Sequence, residues 1–590
     1  MKPAARILAC LALALCLNAI VPAQLAAQQA GGHSAFDNPN WYKNAVIYEI
    51  YPRSFQDSNG DGIGDLNGIT SRLDYLQKLG VNAVWLTPIY PSPQVDFGYD
   101  ISDYEAIDSQ YGTMADFERL VREAKQRHIG IIMDLVLNHT SDKDPWFIES
   151  ASSRTNPKAD WYMWHDPIMV NGKREPPNNW LSVFGGSAWQ WDPARQQYYY
   201  HRFYVQQPDL NWSNPQVRKA MYDVVRFWIN KGVVGFRLDA ITSLFEDPQF
   251  RNEAYILGPD GKPKINAFGD KEVKTNLTDD LPEVHDVIRQ LRDVTNETKG
   301  RKVILIGETY LGSIKDLDKW YGTNHDELDL PMDMQVGFPP GRPTLDVARF
   351  RARINEAETE IGGQMPLFVF DNHDNPRWDR YVTDDHKEGV ARVLATMLFA
   401  SRDTAMMYYG DAIGMVTTPP KTKAEVKDPI GIRGWPKVKG RDGERTPMQW
   451  DAGKDAGFST AATTWLPIPP SYKTVNVAAE EKEPDSLLHW YQQLIALKAS
   501  DAALHDGDEV MLNKNDEHVL AWLRKSADGE AVVVVCNFTT QPQAIDLDLA
   551  SAGVEGTHAT TLLKTPGDAD PATLQSVALG PYGVYIGKVQ

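Results

Sequence analysis

Cysteine is almost missing from this chain. There are three in 590 residues, and two of them, Cys10 and Cys16, sit in an N-terminal segment that reads as a secretory leader. Only Cys536 would remain after processing, so an intrachain disulfide is excluded. Basic residues are also in deficit: 60 Lys and Arg against 79 Asp and Glu give a formal net charge of −19. A surface of that sign attracts neither nucleic acid nor an anionic bilayer. Apolar runs are confined to the start. Lys2 and Arg6 precede the run Ile7–Ile20, which falls short of the roughly 20 residues that a spanning helix needs. Small residues follow at Ala23, Ala26 and Ala27, completing a signal-peptide pattern over residues 1–27. The mature protein is therefore expected to be soluble, periplasmic or secreted, and a monomer or homodimer. No Cys/His spacing suits zinc. No glycine-rich phosphate loop follows the first predicted strand, where Tyr51-Pro52-Arg53 stands instead.

What remains is ordinary globular composition, 42% hydrophobic and 24% charged, over a length that suits two or three domains. The 17 Trp and 24 Tyr suit the apolar faces of sugar rings. From Ala45 onward, short apolar runs alternate with amphipathic helical stretches. The predicted strands are Val46–Tyr51, Ala83–Thr87, Gly130–Val136, Val233–Asp239, Val303–Glu308, Glu327–Met332, Leu367–Asp371 and Ala405–Tyr409. Helices are predicted between most of them, among them Ile69–Leu79, Met114–Arg127 and Pro215–Lys231. The strands lack clean alternation, as expected when both faces are buried. Eight βα units predict an α/β fold, a (β/α)8 barrel spanning 35–139 and 207–502. Residues 140–206 break the rhythm and hold six of the 17 Trp (Trp146, Trp161, Trp164, Trp180, Trp189, Trp191). They read as an inserted subdomain walling the barrel mouth, with Gly414–Gly443 a second long loop over it. After the predicted helix Ser486–Lys498 the pattern changes to short strands, predicting a C-terminal β-sandwich over 503–590.

In such a barrel the active site lies at the C-terminal strand ends, so polar residues there are the candidates. Strand three ends in DLVLNHT (Asp134, Asn138, His139), strand four in GFRLDA (Arg237, Asp239, Ala240), strand five in GETY (Glu308) and strand seven in FDNHDNPR (His373, Asp374). Arg237 and Asp239, two apart on a strand, point to the same face, and the guanidinium favours the ionised carboxylate. Taken singly, each cluster is as well read as a structural ion pair. Four of them, in this order, are not.

These four segments resemble the conserved regions of the α-amylase superfamily of glycoside hydrolases (family 13). QPDLN at Gln207–Asn211 and GRDGERTPMQW at Gly440–Trp450 resemble its oligo-1,6-glucosidase/α-glucosidase branch. The resemblance implies that Asp239 is the nucleophile, Glu308 the general acid/base and Asp374 the transition-state stabiliser. It implies that Arg237, His139 and His373 orient the nucleophile and hold the reacting glucose. Asp96 and Tyr99 would grip the non-reducing end, with Arg441 or Arg445 beside them, the spacing from Asp374 favouring Arg441. Phe184 and Phe203 would be aromatic walls. For retaining chemistry the two carboxyls should lie about 5–5.5 Å apart, Glu308 protonated by a raised pKa and Asp239 ionised. In this branch the residue after the nucleophile tracks linkage, Val with α-1,6 and Ala or Thr with α-1,4 cleavage. Ala240 therefore points to an exo-acting α-glucosidase on maltose and short malto-oligosaccharides, with transglucosylation as a second outcome. The alternatives are an oligo-1,6-glucosidase (isomaltase), or a sucrose- or trehalose-forming isomerase. An RLDxR-like motif typical of the sucrose isomerases is absent at Arg377-Trp-Asp-Arg380. Superfamily relatives that only bind partners lack the catalytic residues kept here.

Asp57-Ser-Asn59-Gly-Asp61-Gly-Ile63-Gly-Asp65 places oxygens at alternate positions, a pattern that suits Ca2+ or Mg2+. It is not an EF-hand, because the twelfth position is Gly68. Relatives carry a cation at the matching loop, so a structural Ca2+ is expected on the Asp57, Asn59, Asp61 and Asp65 side chains and the Ile63 carbonyl. No organic cofactor is implied.

Overall fold

The computed structural model describes residues 35–338, 344–383 and 385–590. The predicted leader, with Cys10 and Cys16, lies outside them.

Eight parallel strands form the central sheet: β1 (Val46–Ile50), β2 (Ala83–Leu86), β3 (Gly130–Val136), β4 (Gly235–Asp239), β5 (Ile304–Gly307), β6 (Leu330–Asp333), β7 (Leu367–Phe368) and β8 (Ala405–Tyr408). β1 to β7 pair successively in chain order and β8 pairs with β1, while no ladder joins β7 to β8 among the described residues. Beside the short β7, the Thr404 amide donates to the Pro366 carbonyl at 3.1 Å and draws β7 towards β8. This is the (β/α)8 barrel, with strand bounds within a few residues of those predicted.

Both strand faces are buried, which is why alternation was absent from the sequence. One set of side chains, including Ile47, Trp85, Ile132, Ile304, Ile306, Leu330 and Met332, forms a separate cluster. Intervening residues such as Tyr48, Val84, Ile131, Phe236 and Leu305 pack in the larger cluster that includes the surrounding helices. In register, Ile132 lies beside Gly235, then Asp134 beside Arg237, then Val136 beside Asp239. Along this row the side chains change from apolar to charged towards the strand ends.

Helices carry their own start signals. Met114–Gln126 opens with a capping box, Thr113 and Asp116 bonding reciprocally. Pro215–Asn230 has Pro at its first position and Asn214 as cap. The predicted helix Ile69–Leu79 is instead two short helices, Leu66–Ser71 and Leu73–Leu79, joined at Arg72.

The insertion is more ordered than its sequence suggested. It holds a helix (Pro145–Ser152), a three-stranded sheet (164–165, 189–192 and 197–200) and a hairpin at 168–175. Its tryptophans pack on one another and on neighbouring rings: Trp146 on Trp161 at 5.1 Å, Trp164 on Phe147 at 5.7 Å, Trp180 on Trp189 at 5.9 Å. Trp180 and Trp189 form a small core of the insertion, while Trp146, Trp161 and Trp164 pack into the main core of the barrel. A second excursion, 244–283, follows β4 and was not singled out in the sequence; it carries isolated bridges such as Tyr255 to Val273.

Past the helix Leu487–Ser500 come β9 (Asp508–Leu512), β10 (Val519–Lys525), β11 (Ala531–Asn537), β12 (Gln543–Ile545), β13 (Ala559–Lys564), β14 (Val577–Leu579) and β15 (Val584–Val589). They make a five-stranded antiparallel sheet in the order β9-β10-β11-β15-β13, and a β12-β14 pair. Val533, Val535, Ile545, Leu574, Val577 and Leu579 share one apolar core between them. Among the described residues no helix is long and apolar enough to cross a membrane.

Candidate active site

A cavity of about 370 Å³ opens at the C-terminal ends of the barrel strands. Its walls include Asp96, Tyr99, His139, Phe184, Phe203, Asp239, Ala240, Glu308, Asp374 and Arg441. None of the 17 tryptophans lines it; its aromatic faces are Tyr99, Phe184, Phe203 and Tyr310.

Arg237 lies beneath the carboxylates, fully buried. Its Nη1 donates to Asp239 Oδ1 at 2.6 Å and to Asp134 at 3.2 Å, while Nη2 stands 2.7 Å from Glu308 Oε1. Glu308 Oε2 also accepts from the Ala240 amide at 2.9 Å. Burial pushes the Glu308 carboxyl up to about 7, with Arg237 opposing and Asp239 and Asp374 adding to the rise. Asp239 departs from the sequence expectation. Burial is its largest influence, Arg237 only partly offsets it, and its carboxyl is also raised to about 7. The two carboxyls thus share one guanidinium.

Asp374 is the opposite case. Burial alone would raise it, but the guanidiniums of Arg441, Arg445 and Arg237 hold it well below the usual carboxylate range. Arg441 Nη1 and Arg445 Nη2 both reach Asp374 Oδ1, at 2.9 and 2.6 Å. The two arginines divide the labour. Arg441 lines the cavity and also reaches Asp96 at 2.6 Å. Arg445 is buried and donates to the His373 carbonyl at 2.7 Å.

The histidines are spent on scaffolding as much as on the cavity. His139 lines it, but its ring nitrogens face the Asn138 side chain (2.9 Å) and the Tyr99 carbonyl (3.1 Å). Burial lowers its pKa to about 3, so it is neutral. His373 stands behind the wall. Its Nδ1 is 2.6 Å from Glu49 and its Nε2 is 2.6 Å from the Tyr99 hydroxyl. Burial holds His373 well below its ordinary pKa and Glu49 well above. Asn138 donates to Asp209 and the Ser243 carbonyl from a buried position.

Several contributors had no role assigned from the sequence. Gln207, the first residue of QPDLN, donates to Asp96 at 3.2 Å and lies 3.1 Å from His139 Nε2, which gives that motif a positional meaning. Asp428 holds Arg441 at 2.9 Å from the helix Pro429–Gly434. Glu49 sits mid-pattern in an apolar strand. Tyr310, the last residue of GETY, also lines the cavity, as do Arg202, Thr242, Ser243 and Asp279, which no local motif marked.

The loop 57–65 is folded by its own oxygens. Asp57 accepts from the Asn59, Gly60 and Gly62 amides (3.0, 2.7 and 2.8 Å), and Asp61 from the Ile63 amide at 2.8 Å. Asp65 caps the following helix through the Gly68 amide and takes both donors of Ser58. Among the described residues no three His, Cys, Asp or Glu side chains are gathered to hold a metal.

A barrel with two carboxyls on one guanidinium, a third kept ionised and a sugar-sized cavity defines a glycoside hydrolase site. Residues 49–507 match the family model "Alpha amylase, catalytic domain", and 509–586 match "Maltogenic Amylase, C-terminal domain". The chain belongs to the α-amylase family and is a glycoside hydrolase of its α-glucosidase type. It is 39% identical over 527 residues to a probable α-glucosidase of Rhizobium meliloti, covering 88% of this chain and 92% of that one. It is also 39% identical to an oligo-1,6-glucosidase of Parageobacillus thermoglucosidasius, covering 85% and 90%. Among solved structures, an α-glucosyl transfer enzyme superposes with a TM-score of 0.83 at 34% identity, covering 93% of this chain and 99% of that one. A trehalose-6-phosphate hydrolase of Bacillus licheniformis gives 0.82 at 34%, covering 94% and 100%.

Proposed function

We propose that this protein is an exo-acting, retaining α-glucosidase that releases terminal α-1,4-linked glucose from maltose and short malto-oligosaccharides. Asp239 attacks the anomeric carbon, Glu308 protonates the leaving oxygen and then activates water, and Asp374 stabilises the oxocarbenium-like transition state. A second sugar in place of water gives transglucosylation. The observation that carries the exo reading is the Arg441 bridge: one guanidinium joins Asp96 and Asp374 across the cavity. A chain cannot run through that end, so one glucose enters at a time. One guanidinium contacting both Asp239 and Glu308 favours the short carboxyl spacing of retaining enzymes. Ala240, with a methyl at the cavity wall, supports the α-1,4 preference. Chromatography of products from maltotriose and starch tests the exo reading: glucose alone supports it, and internal maltodextrin fragments contradict it.

The alternation of oxygens in the loop 57–65 supports a second proposal, a structural Ca2+, or Mg2+, on Asp57, Asn59, Asp61 and the Ile63 carbonyl, with Asp65 shared between the ion and its helix cap. A Ca2+-dependent rise in Tm, reversed by chelator and lost in Asp61→Ala, supports this; an unchanged Tm contradicts it. The leader pattern supports a periplasmic or secreted location, testable by cell fractionation.

A further inference from the structure

The cavity has two chemically distinct ends. At the inner end Asp96 and Tyr99 are buried, at 4% and 5% exposure. Elsewhere in the lining Thr242 and Ser243 come three and four residues after the nucleophile, with Asp279 and Arg202 beside them; Ser243 and Arg202 are buried, Thr242 and Asp279 partly exposed. The Asp279 side chain is 32% exposed. It comes from the 244–283 excursion, which otherwise contributes nothing to the machinery described above.

Asp279 is held by a built arrangement. Its Oδ1 accepts from Thr242 Oγ1 at 2.7 Å and from Ser243 Oγ at 3.0 Å, and lies 3.4 Å from Arg202 Nη2. Arg202 is itself fixed by the Thr278 carbonyl at 2.7 Å. All these contacts fall on Oδ1. A carboxylate has about four acceptor sites, so Oδ2 keeps its capacity for further hydroxyl donors. A group oriented by three neighbours, at the solvent side of the cavity, is preorganised to receive a ligand.

We propose that Asp279 is a specificity-determining residue that accepts hydrogen bonds from hydroxyls of the leaving-group or acceptor sugar. This rests on the α-glucosidase reading of the same cavity. The glucose being transferred sits at the closed end, so the group next to be cleaved off, or to be glucosylated, must lie towards Thr242, Ser243 and Asp279. A polyhydroxylated aglycone satisfies Asp279. An aryl aglycone without hydroxyls gains nothing from it. Sites built to bond a substrate hydroxyl discriminate against ligands that lack it.

The test compares kcat/KM on maltose with that on p-nitrophenyl α-glucoside. Both deliver the same glucosyl group and differ only in what leaves. For Asp279→Ala the maltose-to-aryl ratio should fall by about tenfold or more. Asp279→Asn, which keeps one acceptor oxygen and nearly the same shape, should lower it by a smaller factor and serves if the alanine variant does not fold. A ratio unchanged in the folded variants, with both substrates losing equally, would assign Asp279 to stapling the excursion and overturn the proposal. Wild-type protein that cleaves neither substrate would instead overturn the α-glucosidase reading beneath it.

Discussion

Arg237 serves Asp239 and Glu308 with the two arms of one guanidinium, at 2.6 and 2.7 Å. Lysine cannot span two carboxyls from one buried point. Arg237→Lys is therefore expected to lower kcat by about 100-fold or more, the scale of a disturbed acid–base pair. KM should change less, because Arg237 does not line the cavity. Steady-state kinetics on maltose check this; an effect confined to KM would contradict it.

The sequence carried the barrel because each strand is a short apolar run ending in polar residues, as in Ile304–Gly307 before Glu308. It carried the carboxylates because they belong to contiguous strand-end segments. It could not carry the balance between burial and Arg237 at Asp239, since burial is a tertiary quantity. Nor could it carry the partners that arrive from distant segments: Asp428 for Arg441, Glu49 for His373, Asp279 for Thr242. The tryptophans misdirected for the same reason. Aromatic content says how much ring surface exists, and only the fold decides whether it packs on itself or faces a cavity.

The pH dependence follows from Asp239 and Glu308 together. Burial raises both Asp239 and Glu308 to about 7. In the proposed mechanism catalysis needs one proton on the two carboxyls, on Glu308. Below neutrality a second proton arrives and Asp239 can no longer attack; above it the last proton leaves and Glu308 can no longer donate. The profile of kcat/KM should be a bell centred near neutral pH. A plateau extending unchanged to about pH 9 would contradict the assignment of Glu308 as the acid.

Glu308→Gln should abolish hydrolysis yet stabilise the protein at alkaline pH. The folded carboxyl titrates near 7 and the unfolded one near 4.5. Because the folded value is raised, the ionisation penalty is absent below the unfolded value, grows between the two and is complete above 7. Removing it should raise stability by on the order of 1–3 kcal/mol near pH 8, and by less near pH 5. Thermal unfolding at both pH values checks this; equal shifts at both would contradict it.

Ala240 adopts a left-handed backbone, φ 45° and ψ 35°. A β-branched residue is strained there. Ala240→Val is expected to cost about 1–2 kcal/mol of stability while placing two more methyl-sized groups at the cavity wall. Its Tm should fall, and its preference should move from maltose towards isomaltose. A Tm unchanged from wild type would contradict the strain argument.

The relative kcat/KM for maltose and isomaltose tests the proposed α-1,4 preference, with Asp239 as nucleophile and Ala240 at the cavity wall, most directly. Maltose should be the better substrate, by about tenfold or more on the scale that a single wall contact supports, and Asp239→Asn should cleave neither. Faster cleavage of isomaltose, or near-full activity in Asp239→Asn, would contradict the account.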